Sequence, residues 1–225
     1  MEKSAVVEKH WQRIAQQRRS KKTHETLLDA AETLILDGGA DAATIAAIAA
    51  RAGVSVGSVY HHFRDKQAIF IALSQRTLEF FQSLYSGFED PAYFEGSTVR
   101  DIIRVYLEVS VSTLRHQLVA RYATGAVATD QPEFVRNFAR TMVWGREIAL
   151  KHIIARKDEI GRSDPERCCR IMLDQLSAMY AGHIDPGRRA VALAPMEDEA
   201  FVEEAVTIAS EYLALRGTDV PAAQD

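Results

Sequence analysis

The 225-residue sequence has only two cysteines, and they are neighbours, Cys168 and Cys169. Adjacent helical positions point about a third of a turn apart, so the pair is poorly placed to bridge itself and no structural disulfide is expected. Glycine and proline are sparse, 12 and 6 residues, and no glycine cluster resembles a phosphate-cradling loop. No uncharged apolar run approaches the roughly 20 residues of a bilayer-spanning helix. Met1 to Lys22 lacks the apolar core and small-residue cleavage site of a secretory signal. These absences argue against a disulfide-stapled secreted domain and a membrane span, so the expected location is the cytoplasm. Nor does one sign of charge dominate: 27 Lys and Arg stand against 31 Asp and Glu, a net −4, with 47% hydrophobic and 26% charged residues. That is the composition of a soluble globular chain with material for one large or two small cores.

The charge is nevertheless uneven. Lys3, Lys9, Arg13, Arg18, Arg19, Lys21 and Lys22 face only Glu2, Glu8 and Glu25 in the first 25 residues, seven cations to three anions, which leaves the remaining 200 at −8. A basic end on an acidic body suits a polyanionic partner at that end, with a solvated tail as the alternative. Val7, Trp11 and Ile14, at i, i+4 and i+7, also fit an extra helix. Helix and minor-groove arm are both left open for this stretch.

Apolar periodicity is helical throughout, so the fold class is all-α. Leu27, Leu28, Ala31, Leu34 and Ile35 mark a first helix over about Thr23–Asp37, ended by Gly38 and Gly39. Thr44 is placed to cap a second helix, Ile45–Ala52, Ser55 a third ending at Phe63, and Asp65 a fourth of about twenty residues. Further helices are expected over Ser97–Arg115, Gln117–Thr129, Pro132–Arg156, Pro165 to Tyr180 or Ala181, and Glu197–Leu215, with an irregular link through Pro186, Gly187 and Pro195.

The second and third helices, joined through Gly53, have the ingredients of a helix-turn-helix, whose second helix enters the DNA major groove. Ala49 is small where the helices cross, Gly53 suits a left-handed turn, and Ile48, Val54 and Val59 supply the inner face. Phe63 reads as core. Ser58, Tyr60, His61 and His62 are left outward, with donors and acceptors for base edges and phosphates.

The run Thr44, Ile48-Ala49, Ala52-Gly53-Val54-Ser55, Gly57, Tyr60, His62-Phe63 and Lys66, between a Gly-terminated amphipathic helix and a helix containing Phe70, resembles the TetR family of bacterial transcriptional regulators. The resemblance is close over Thr23–Leu73 and architectural beyond it. It implies a three-helix DNA-binding head at 23–72 and a helical ligand-binding and dimerisation domain at 73–216, placed between the basic arm at 1–22 that the charge suggests and a tail at 217–225 expected to fray. It further implies that Thr44, Ser55, Tyr60, His62 and Lys66 serve the DNA backbone and the recognition-helix cap, while Val56, Gly57, Ser58 and His61 face bases. No Arg or Asn lies on that surface, so specificity is expected from shape, thymine methyls and water.

The same resemblance implies a homodimer on a palindromic double-stranded DNA operator, with Ile171, Leu176, Met179, Phe201, Val202, Ile208 and Tyr212 in a four-helix seam. It also implies a cavity beneath the fourth helix for a small apolar or aromatic effector that releases DNA. The candidate lining is Phe81, Tyr85, Tyr106, Ser110, Thr113, His116, Tyr122, Phe138, Trp144 and Tyr180. No catalytic motif is present, no cofactor is implied, and the adjacent His61-His62 lack metal-ligand spacing, so neither enzyme nor metal site is expected. The rival from another class is a helical small-molecule-binding or protein-interaction module that does not bind DNA.

Overall fold

The computed structural model describes residues 2–113, 116, 119 and 132–216, with side chains for 18, 20–113, 116, 119, 132–185 and 187–216. Apart from Val119, the expected helix over Gln117–Thr129 lies outside these residues, as do the tail after Arg216 and the side chains of Val7, Trp11 and Ile14. Among the described residues there is no strand, only an isolated antiparallel bridge between Ile160 and Leu215. No described helix is long and apolar enough to cross a membrane. The chain divides into two compact units, a head of Met1–Thr77 with Gln117–Val135 and a body of Leu78–His116 with Arg136–Asp225.

In the head, α1 (Glu2–Ala42) carries helical backbone back through the basic segment, the extra-helix alternative. Its regular dihedrals stop at Gly38 (φ −148°, ψ 18°) and Gly39 (φ 75°, ψ −176°), the second of which a side chain would strain. Then come α2 (Ile45–Ala52) and α3 (Val56–His62), and α4 (Lys66–Phe88) begins here and continues into the body. Leu27, Ala31 and Ile35 of α1 pack with Ile48, Val59, Ile69 and Leu73 around one core. Val119 is buried in that same core, so the head is not the contiguous 23–72 expected from the sequence. Arg76 ties α4 to α1, donating to Asp29 (2.7 Å) and to half-buried-to-buried Glu32 (2.5 Å), with Glu25 at 3.5 Å.

The body contains the rest of α4, α5 (Val99–Ser112), α6 (Pro132–Ile154), α7 (Pro165–Ile184), a five-residue α8 (Pro186–Ala190) and α9 (Asp198–Leu213). Thr98 and Asp101 form a reciprocal capping box at the start of α5. Asp164 accepts from the Arg167 N–H ahead of Pro165, the start legible in the sequence. The link read as irregular holds α8, capped by Asp185 (3.1 Å to the Arg188 N–H). Ile103, Leu107, Ile153, Leu176, Val206 and Leu213 are among the side chains that fill the core between α5, α6, α7 and α9.

Candidate functional site

Local chemistry explains how the helix-turn-helix is held. The Thr44 hydroxyl accepts from the Ala47 N–H (3.2 Å), occupying a donor that the first turn of α2 would leave unpaired. Gly53 sits at φ 67° and ψ 31°, and its N–H closes α2 onto Ala49 and Ala50. Two residues on, the Ser55 hydroxyl accepts from the Ser58 N–H (3.1 Å) to start α3. Asp65 does the same for α4, accepting from the Ala68 N–H (2.8 Å); that bond, then Arg64, lowers its pKa and keeps it an anion. Four turns and starts are thus fixed by contacts within three or four residues.

On this frame α3 buries Val59, and Phe63 just beyond it, and turns the rest outward. Val56 and Tyr60 are 43% and 56% exposed, unusual for side chains of this size. Gly57 and His61 are exposed beside them, whereas Ser58 and His62 are half-buried. Thr44, exposed, and Lys66, half-buried, stand at the starts of α2 and α4. The Lys66 ammonium lies over the Phe70 ring, 5.1 Å from its centroid. His24 was not among the sequence candidates: its ring stacks on Phe63 at 4.6 Å and approaches His62 edge-on at 6.1 Å. Burial first, then His61 and His24, push the His62 pKa below 6.5. No local pattern could reveal His24, since its partners lie nearly forty positions away.

Within the body, a cavity of about 40 Å³ is walled by Tyr85, Tyr106, Phe88, Ile102, Gly145 and Ile148, among others. Of the expected lining residues it takes Tyr85 and Tyr106. Phe81, Ser110, Thr113, His116, Phe138, Trp144 and Tyr180 are not on its wall, for identifiable reasons. Ser110 and Thr113 return their hydroxyls to carbonyls of α5 itself, at Tyr106 and Val109 (both 2.8 Å). His116 stacks on Phe80, Phe138 meets buried Phe81, and Trp144 donates to Glu89 (3.2 Å) with its ring edge-on to Tyr85. Tyr180 is buried in the body's main core. Tyr122 lies outside the described residues. Tyr106 shares a hydrogen bond with Ser177 (3.0 Å), while the buried Tyr180 hydroxyl has no partner among the described residues. Burial is the main cause raising the Tyr85, Tyr106 and Tyr180 pKa values, so all three remain neutral phenols.

The seam candidates divide. Leu176, Phe201 and Val202 belong to the body's own core, covered by α5, α7 and α9, and are withdrawn from the seam, although an edge of Phe201 still borders an open cleft. Ile171 and Ile208 are exposed, and Met179 and Tyr212 half-buried. No group of His, Cys, Asp and Glu suited to a metal occurs among the described residues.

Residues 27–73 match the model of bacterial regulatory proteins of the tetR family. The chain is 27% identical over 181 residues to the HTH-type transcriptional repressor Rv1474c of Mycobacterium tuberculosis, covering 76% of this chain and 89% of that protein. It is 43% identical over 54 residues to the HTH-type transcriptional repressor BepR of Brucella suis, covering 24% and 26%. Its fold matches the crystal structure of a TetR-family transcriptional regulator from Mesorhizobium loti with a TM-score of 0.60 at 16% identity, over 87% of this chain and 97% of that one. The capped helix-turn-helix, the family match over it and the repressor relatives agree: the chain carries the N-terminal DNA-binding domain of the tetR family of bacterial regulatory proteins.

Proposed function

We propose that the protein is a ligand-responsive transcriptional repressor that binds a palindromic operator as a homodimer and is released by a small apolar or aromatic effector. The observation that carries this reading is the outer face of α3, where Val56, Gly57, Tyr60 and His61 stand exposed on a helix fixed by caps at both ends of the preceding turn. Exposed Val and Tyr suit thymine methyls and sugar edges, His61 and His62 suit acceptors, and Thr44 and Lys66 suit phosphates at helix starts. One such head covers too little DNA for specificity, whereas two heads about 34 Å apart read successive major grooves. Ile171, Met179, Ile208 and Tyr212 are the side chains left to join two bodies.

The effector site is assigned to the cavity beside Tyr85 and Tyr106. At about 40 Å³ it is far below the roughly 300–1,000 Å³ of ligand pockets, so an effector enters only by displacing its walls. Neutral phenols among apolar side chains favour an uncharged aromatic guest. Tyr85 lies on α4, whose first residue is Lys66, so an effector that shifts α4 spends binding energy on a conformation that holds DNA less well.

Selection from a random duplex pool, followed by fluorescence anisotropy across a salt series, tests the reading. The expected result is an inverted repeat bound with an affinity that falls steeply with salt. An aromatic effector that disturbs Tyr85 should change Trp144 emission and weaken the complex together. No retention of any duplex at about 50 mM salt would sink the proposal in favour of a helical module that does not touch DNA.

A further inference from the structure

The link between α7 and α9 is tethered on one side and bare on the other. Arg189 donates to the Met196 carbonyl (2.8 Å) and pairs with Glu197 (3.2 Å), and His183 bonds Asp198 (2.8 Å) while stacking on Phe201. These contacts frame a cleft of about 380 Å³ floored by Met179, Phe201 and Ile208. Ala192 and Ala194 line it, whereas Val191 and Leu193, alternating with them, point away at 79% and 105% exposure. Leu193 is thus as exposed in the folded chain as a leucine can be, a few residues from an open apolar cleft. Arg188 and Glu204 also line the cleft, both exposed, and neither has an ion-pair partner among the described residues.

We propose that residues 185–196 form a reciprocal clasp between two copies of the chain, Leu193 of each inserting into the cleft of the other, with Arg188 of one copy meeting Glu204 of its mate. The inference rests on the homodimer reading and adds the segment that locks it. A two-fold contact requires one surface to carry both a projection and its receptor, and opposite charges that exchange across the axis. This surface carries both. Val191 and Leu193 are the projection, and the unpaired cation and anion on one rim are self-complementary, which a small carboxylate or amine ligand would not require. Met179 and Ile208 on the cleft floor are also two of the four seam candidates still accessible, so clasp and seam are continuous.

Sedimentation equilibrium of the full chain tests this. Leu193→Asp, a change at a fully exposed position that leaves the protomer's helicity intact, should weaken the dimer about a hundredfold, since two carboxylates would be buried per dimer. Arg188→Glu and Glu204→Arg should each weaken it about tenfold, and the double reversal should recover parental affinity. A parent dimer whose Leu193→Asp variant associates as tightly overturns the clasp and leaves the homodimer standing. A double reversal weaker than either single change also overturns it. A parent chain that is monomeric at tens of micromolar overturns both.

Discussion

Replacing Gly145 by alanine probes the wall of the body's cavity with a sign as well as a size. An ideal Cβ at 145 would lie 2.6, 2.7 and 2.9 Å from Cζ, Cε2 and Cε1 of Tyr85. Carbon pairs prefer about 3.5–4.0 Å, so the overlap is about 1 Å against a ring that cannot deform. The ring must swing, losing its contact with Met142 Sδ (3.8 Å) and its edge-on packing with Trp144. Overpacking of this kind costs about 1–3 kcal/mol. Against it, alanine in a helix interior is favoured over glycine by about 0.5–1 kcal/mol. The net loss in the parent should therefore be about 0–2.5 kcal/mol, too ambiguous alone. In a Tyr85→Leu background the offending ring atoms are gone, and Gly145→Ala should stabilise by about 0.5–1 kcal/mol. Urea unfolding of the four proteins of this cycle, followed by circular dichroism at constant slope, gives a coupling of about 1–3 kcal/mol. Equal effects of Gly145→Ala in both backgrounds would refute the packing argument.

Thr44→Ala and Ser55→Ala should each destabilise the head by about 1 kcal/mol through loss of a cap, read from urea midpoints; shifts under about 0.3 kcal/mol would deny the caps their role. Lys66→Ala should weaken binding to all duplexes alike and flatten the salt slope by about one unit, whereas Val56 and His61 substitutions should change the preferred sequence; an unaltered slope in Lys66→Ala removes it from the phosphate contacts. Acidification should weaken the head in a way that His62→Gln abolishes. Because burial, His61 and His24 hold the folded His62 pKa below 6.5, the unfolded chain takes up this proton first. Stability is therefore lost as pH falls from 6.5 until folded His62 also titrates. Midpoints at about pH 7.5 and 5.5 that shift equally in parent and His62→Gln would count against it.

What the sequence revealed follows the range of the forces involved. Gly39 and Gly53 announce turns, and Thr44, Ser55, Asp65 and Asp164 announce helix starts, because each acts within a few residues along the chain. On α3 the same local frame placed Tyr60 and His61 outward, whereas Ser58 and His62, read as outward too, are half-buried. Leu176, Phe201 and Val202 show where such reading stops: helical spacing says that a stripe is apolar but not whether its cover is the chain's own core or a partner. Tyr85 and Tyr106 are on the cavity wall, yet seven other candidates were absorbed by ring contacts, by their own helix's carbonyls or by the core. His24 beside His62 and Arg76 on Glu32 are likewise products of α1 packing.

Val119 has a consequence for the order in which the protein is made. The head's other core side chains are complete at Leu73, but Val119 lies in the same core, and α5, which belongs to the body, is translated in between. At about 5–20 residues per second on the ribosome, the roughly 46 residues from 73 to 119 take about 2–9 seconds. For that interval a nascent head lacks one of its core side chains while part of the body has already emerged. Synthesis of the body therefore begins before the head's core is complete, and a nascent chain arrested before residue 119 should hold its helix-turn-helix less tightly than the released protein does.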